Sequence, residues 1–345
     1  MARRVHPVAL LAGDGIGPEV TEAACRVVEA AGVRIQWTPL PCGLGAVQSH
    51  GDALPSSTID GIKRAKTALK GPTTTPIGGG HVSANVRLRK SLDLFANVRP
   101  VKTVPGLETP YGPVDLVIVR ENTEDLYSGL ENLVAPGVVT SIKVITRRAS
   151  RRIARFAFDH ATTWGRRRVT AVHKANIMKL ADGLFLDCAR RAAKPYAPTI
   201  AYDEVLVDAL CMKLVKRASD FDVLLLENLY GDIVSDLAAG LVGGLGLVPG
   251  GNYGRHAAVF EAVHGSAPDI AGKGVANPIA MILSAAMMCH HLGEVDAYTR
   301  IRRGVAAVTR KKEELTPDIG GTANTRTLTD AIIREVKAQP PVAPA

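Results

Sequence analysis

Apolar runs alternate with amphipathic stretches along the whole chain. VALLA (8–12), DLVIV (115–119), VVTSIKVIT (138–146), VTAVH (169–173) and DVLLL (222–226) predict strands. Runs such as DVLLL are continuous rather than alternating, as expected of a mostly parallel sheet covered on both faces. The amphipathic stretches predict helices over 18–31, 84–93, 149–164, 180–193, 228–239, 277–291 and 326–337. Pro18 suits the first turn of its helix, where the missing N–H is not needed. Strand–helix alternation of this kind predicts an α/β protein. The glycine-rich stretch 240–254 reads as a hinge or crossover between domains, and QPPVAPA (339–345) as a frayed end.

Length and composition narrow the picture. At roughly 150 residues per domain, 345 residues suggest two domains. Apolar residues at 46% and charged residues at 22% exclude bulk disorder. Cys25, Cys42, Cys188, Cys211 and Cys289 are odd in number and far apart, which argues against a disulfide framework or a zinc site. No stretch approaches the roughly 18 apolar residues of a membrane span. The early apolar run is broken by Pro7 and ends at Asp14. A cytoplasmic, soluble protein is therefore expected. The net charge of +9 concentrates in Arg147, Arg148, Arg151, Arg152 and Arg155 and in Arg166–Arg168. A solvated helix face is the plain reading; nucleic-acid binding would want interleaved aromatics, which are only 4% of the chain. Anionic substrates are a third reading.

Six segments carry candidate chemistry. GDGIGPE (13–19) follows the first strand, but a dinucleotide fingerprint would need glycine where Pro18 stands. Ser83, Asn85 and Arg89 open a predicted helix, with Ser83 either a plain N-cap or part of an anion site, and Arg99 ends the next short strand. Arg120 follows DLVIV directly, where ligands of open α/β sheets bind, and Tyr127 either packs or donates a proton. Lys174 follows VTAVH; lysine there is either surface or, near other cations, a base. Asp232 and Asp236 share one helix face, either as two solvated acids or as ligands of Mg²⁺ or Mn²⁺, and Asp208 follows another apolar strand. The long loop 260–278 carries His264, Asp269 and Asn277; Asp269 could accept ribose hydroxyls and repel a 2′-phosphate.

From GDGIGPE to TPDIGGTA (316–323), the chain resembles the metal-dependent β-decarboxylating dehydrogenases, the isocitrate and isopropylmalate dehydrogenase family. NLYGDIVSDLAAGLVGGLGLVPGGN is nearly a signature of it. The resemblance implies a two-domain α/β fold with a mostly parallel sheet, not a classical Rossmann domain. It implies a large discontinuous domain, 1–98 and 241–345, with the cofactor loop. A small domain, 99–240, would hold an arm and the dimer interface. It places the metal aspartates on Asp232 and Asp236, with Asp208 from the partner subunit of a homodimer. The general base falls on Lys174, also the partner's, and the acid on Tyr127. Substrate carboxylates fall to Arg89, Arg99 and Arg120, with Ser83 and Asn85 setting specificity. The cofactor loop falls on His264, Gly265, Ala267, Pro268, Asp269 and Ile270, with Thr75 and Asn277.

Within the family, the Ser83-x-Asn85 pair is similar to isocitrate enzymes, because an apolar substrate branch wants leucine where a carboxylate wants hydroxyl and amide. RENTEDLYSG and VHKANIMK-x-x-DGLF are similar to NAD-dependent isocitrate dehydrogenases of the tricarboxylic acid cycle. NADP-dependent relatives place lysine and tyrosine where Asp269 and Ile270 stand, so NAD is implied. Homoisocitrate dehydrogenase, isopropylmalate dehydrogenase and a non-catalytic regulatory subunit remain as alternatives. His81 and Val82, beside Ser83, are expected to bear on specificity. No nucleic-acid or membrane partner is implied.

Overall fold

The computed structural model describes residues 4–75 and 83–340. His81, Val82 and residues 341–345 of the tail lie outside them. In chain order the strands and helices are β1 (Val5–Leu11), α1 (Gly17–Ala30), β2 (Arg34–Pro39), α2 (Leu44–His50), α3 (Ser56–Ala65), β3 (Thr67–Lys70), α4 (Ala84–Ser91), β4 (Ala96–Lys102), β5 (Asp115–Glu121), β6 (Glu131–Ala135), β7 (Val138–Ser141), α5 (Arg147–Thr163), β8 (Arg168–His173), α6 (Ala181–Ala193), β9 (Ala201–Leu206), α7 (Val207–Arg217), β10 (Val223–Leu226), α8 (Asn228–Leu241), β11 (Pro249–Tyr253), β12 (Ala258–Ala262), α9 (Ile279–His291), α10 (Val295–Val308) and α11 (Thr325–Ala338).

The chain divides into two units. One comprises Met1–Leu92, Thr103–Thr109 and Gly243–Ala345, and the other Asp93–Lys102 and Pro110–Val242. One of the passages between them lies at Val242–Gly243, inside the glycine-rich stretch read as a hinge or crossover.

The first unit holds the strand order β2-β1-β3-β12-β11, parallel except for β11 against β12. Its core is built by Val20 and Val27 of α1, Ile282 of α9, Ile301 of α10 and Ile332 of α11, packed with Val8 and Phe260 from the strands. Each such aliphatic side chain contributes about 1.5–3 kcal/mol by leaving water. Pro18 stands in the first turn of α1, as its fixed φ favours. Asn324 caps α11, accepting from Thr327 N while Thr327 reciprocates.

The second unit holds the order β4-β5-β10-β8-β9, parallel except for β4 against β5. Helix α5 buries Ile153, Ala157 and Phe158. Three arginines of its other face meet acids, Arg147 with Asp187, Arg155 with Asp159, and Arg152 with Asp93 at 2.7 Å, and Arg152 also lies over the Phe95 ring. This is the solvated-face reading of the basic stretch. A separate hairpin, β6 and β7, is exposed at every residue, including Leu133 (72%), Val134 (64%) and Val139 (63%). An isolated two-stranded hairpin is marginal in water.

The strand expected over 138–146 stops at Ser141. Beyond it the backbone joins a turn rather than a ladder, with Val144 O accepting from Asp125 N, and Thr146 caps α5 by accepting from Ala149 N. Arg99 lies in the middle of β4 rather than at a strand end, and Arg120 is inside β5.

Candidate active site

In the second unit, α8 starts where β10 ends and carries Asp232 and Asp236 one turn apart. The Asp232 carboxylate accepts from Arg120 Nη1 at 2.5 Å and from the Tyr127 hydroxyl. Arg99 lies 3.6 Å from Asp232 and 3.7 Å from Asp236. Five residues singled out from the sequence, on β4, β5, α8 and a short turn, therefore meet. Their supports were not read from the sequence. Asn228 Oδ1 accepts from Arg120 Nε at 3.1 Å and Nη2 at 2.7 Å, which fixes a guanidinium with no exposure. A Cβ at Gly231 would stand 2.5 Å from Arg120 Cγ, so α8 can lie against this arginine only with glycine there. Asp125, on the turn Asp125–Ser128 that bears Tyr127, accepts from Leu229 N at 2.8 Å and so pins that turn to the start of α8. The sequence cue was the spacing of N and G inside NLYGD.

The charges are unbalanced in a telling way. Partial desolvation on its inner side pushes the Asp236 carboxyl above its ordinary range; Arg99 opposes this and Asp232 reinforces it. Burial and the hydrogen bond to Asp232 push the Tyr127 phenol up, so it stays protonated at neutral pH. Two carboxylates one turn apart, each with one side open to solvent, form a hard-oxygen pair that fits a Mg²⁺- or Mn²⁺-type cation retaining other oxygen ligands. Among the described residues no three His, Cys, Asp or Glu side chains gather as a metal centre would require. Asp208 does not complete the pair within one chain.

Lys174 and Asp208 instead pair with each other. Lys174 follows β8, Asp208 sits in the first turn of α7, and Nζ lies 2.6 Å from Oδ1. The hydrogen bond from Lys174 holds the Asp208 carboxyl below the ordinary carboxylate range.

The first unit gathers the remaining candidates. Ser83 occupies the N-cap position of α4, yet its hydroxyl caps nothing; it accepts from Thr75 at 3.2 Å. Asn85 accepts from Thr73 at 3.2 Å. Arg89 is buried with Nη2 3.4 Å from Glu261, and its Nε has no hydrogen-bond partner among the described residues. Glu261 also binds Lys70 at 2.7 Å and Asn252 at 2.9 Å. Burial would raise the Glu261 carboxyl, but Lys70 and Arg89 hold it down, to about 2. None of Lys70, Asn252 and Glu261 was picked out from sequence, because each sits in a strand too short or too glycine-rich to declare itself.

GDGIGPE proves to be a loop clasp. Asp14 accepts from Leu44 N at 2.7 Å and from Thr74 N at 2.8 Å, while Ile16 N donates to Ser266 O. At Gly15, φ is +59° and a Cβ would stand 1.9 Å from Ser266 O. The motif thus ties the 72–75 segment and the 264–270 loop together. In that loop His264 Nδ1 donates to Gly265 O, leaving Nε2 a buried acceptor without a partner among the described residues. Burial lowers the His264 pKa, so the ring is neutral. Asn277 donates to Asp318 at 3.0 Å. An unfilled acceptor and Asp269 on one loop suit a polar, uncharged sugar better than a phosphate.

Comparison with known proteins agrees with this geometry. Residues 7–333 match the family described as isocitrate/isopropylmalate dehydrogenase. A mitochondrial NAD isocitrate dehydrogenase catalytic subunit 5 of Arabidopsis thaliana is 51% identical over 324 residues, covering 94% of this chain and 86% of that protein. A regulatory subunit of the mitochondrial NAD isocitrate dehydrogenase of Dictyostelium discoideum is 47% identical over 334 residues, covering 96% and 92%. An isocitrate dehydrogenase crystal structure from Methylococcus capsulatus superposes with a TM-score of 0.93 at 49% identity, covering 96% of this chain and 99% of that one. The family match, the fold and the arginine–aspartate–tyrosine cluster against α8 lead to one assignment: the chain belongs to the isocitrate/isopropylmalate dehydrogenase family.

Proposed function

We propose that this chain oxidises and decarboxylates isocitrate to 2-oxoglutarate and CO₂ while reducing NAD. The observation that carries the reading is the group assembled against α8, in which Arg99 and Arg120 meet its two aspartates and the protonated Tyr127 donates to Asp232. A regulatory role, the reading that the Dictyostelium relative's name raises, would not need this machinery complete.

The roles divide by unit. In the first, Arg89, Ser83 and Asn85 are to bind the substrate, with a hydroxyl and an amide facing its third carboxylate. Thr75, His264, Gly265, Ala267, Pro268, Asp269, Ile270 and Asn277 are to bind NAD. This is the large discontinuous domain of the proposal. In the second, Arg99 and Arg120 are to grip carboxylates, and Asp232 and Asp236 to hold a divalent cation with Asp208 of a second copy. That cation, when bound, supplies Lewis-acid stabilisation of developing negative charge. Lys174 of the second copy is to help remove the proton of the C2 hydroxyl, through a proton relay, as hydride passes to NAD. Tyr127, kept protonated by its surroundings, is to return a proton after CO₂ departs. The exposed β6–β7 hairpin, with Leu133, Val134 and Val139, supports a homodimer in which this arm is covered. Among the described residues no helix is long and apolar enough to cross a membrane. The scattered cysteines suit a reducing, cytoplasmic setting.

The test is NADH formation by the purified chain with Mg²⁺ on isocitrate, homoisocitrate and 3-isopropylmalate, repeated with NADP. Fast turnover of isocitrate with NAD alone is expected. A preference for either other substrate would overturn the roles of Ser83 and Asn85; activity with NADP would overturn that of Asp269. Tyr127→Phe is expected to slow 2-oxoglutarate formation by about 10²–10⁴-fold, the usual worth of a general acid. Undiminished turnover by that variant would remove Tyr127 from the mechanism.

A further inference from the structure

Lys143 has no part in the roles above, yet it stands between them. It follows β7 in the extended segment before α5. Its Nζ lies 2.6 Å from Asp182 Oδ1 and 2.5 Å from Glu227 Oε2, and 4.6 Å from the centre of the Tyr230 ring. Asp182 is wholly buried and Glu227 is 1% exposed. The other oxygen of Asp182 accepts from the Lys174 backbone N–H at 2.6 Å. Glu227 is the N-cap residue of α8, and its carbonyl accepts from Gly231 N at 2.9 Å. One ammonium therefore ties the chain at Lys174 to the start of the helix that bears Asp232 and Asp236.

The charges at this junction are one positive and up to two negative. Burial pushes the Glu227 carboxyl up, to about 8, against the pull of Lys143; Asp182 and Asp125 push it the same way as burial. Tyr230 faces the same cluster. Glu227 Oε1 has no hydrogen-bond partner among the described residues. Lys143 Nζ donates to both carboxylates, so a single ammonium serves Asp182 and Glu227 at once.

We propose that Lys143 is a positioning residue, which holds the backbone of Lys174 in register with the N-terminus of α8 by engaging Asp182 and Glu227 together. The proposal rests on the roles given to Lys174 and Asp232 above. In a dimer with shared sites those two groups serve different active sites, so Lys143 links the two sites through a single chain.

The test compares Lys143→Met, Lys143→Arg and Glu227→Gln in the full-length protein. Lys143→Met is expected to lower kcat by about 10–100-fold, as loss of an outer partner of a site residue does, with KM for NAD unchanged. Lys143→Arg keeps a cation between the two carboxylates and is expected to recover most of that loss. Unchanged kcat per folded molecule in Lys143→Met would overturn the proposal. Should Lys143→Met fail to fold, Glu227→Gln decides. The link uses both carboxylates, so Glu227→Gln, which keeps the shape but removes the charge facing Lys143, is expected to lower kcat in the same direction as Lys143→Met, with KM for NAD unchanged. Unchanged kcat per folded molecule in Glu227→Gln would overturn the proposal. Lys174→Met run in parallel separates the failures. If it abolishes turnover while both junction variants behave as wild type, only the role of Lys143 is wrong. If it leaves turnover intact, the underlying assignment is wrong as well.

Discussion

Asp232→Asn is expected to lower kcat/KM for isocitrate by more than the ~10–100-fold that loss of an outer-shell partner costs, and to raise the Mg²⁺ concentration needed for half-maximal rate. Asp232 is the most shared group on α8: Arg120, Arg99 and the Tyr127 hydroxyl all converge on its carboxylate. An amide keeps the shape but loses the charge, leaving the buried Arg120 short of an anion and a cation short of a ligand. Breaking a buried ion pair from one side costs about 3–5 kcal/mol, so some loss of thermal stability is expected alongside. The two effects are separable. Activity per folded molecule, with the folded fraction measured by circular dichroism, isolates the catalytic part. A Mg²⁺ titration unchanged from wild type would remove Asp232 from the metal set.

Lys174→Met is expected to lower kcat by about 10²–10⁴-fold with little change in KM for isocitrate, because a group in the relay that removes the C2 hydroxyl proton acts in the chemical step rather than in binding. Lys174 is only partly buried and its ammonium rests on Asp208 at 2.6 Å, so its loss leaves an exposed carboxylate and costs little stability. A variant that folds normally yet fails to turn over would mark a chemical role. A proportionate rise in KM instead would mark Lys174 as a binding group.

Much of this was legible in the sequence, for identifiable reasons. DVLLL and DLVIV are long apolar runs, and both are strands. The Asp232–Asp236 spacing fixed a common helix face before any fold was known. What escaped notice depends on contacts made far along the chain. Strand β3 is four residues ending in a buried lysine, and only its ion pair with Glu261, far along the chain, makes that tolerable. Strand β11, PGGNY, lies in the stretch read as a hinge or crossover, yet it pairs in register with β12. The N-cap role of Ser83 was a sound local inference, but the hydroxyl is taken by Thr75. Gly231 is required by the stem of Arg120, a residue 111 positions away that no local pattern reveals. The division of labour between chains was legible only through family resemblance. The geometry is consistent with it, since Lys174 and Asp208 pair apart from the acids of α8.

The central claim is that two copies of this chain build each active site, one giving Asp232 and the other Lys174. Mixing the inactive Lys174→Met and Asp232→Asn proteins, after dissociation and reassembly, tests it directly. In a hybrid dimer one site receives both defects and the other receives neither. Random assortment then restores about a quarter of the wild-type rate of NADH formation. If the mixture stays as inactive as its components while size and folding show that hybrids formed, each site is built within a single chain and the account is wrong.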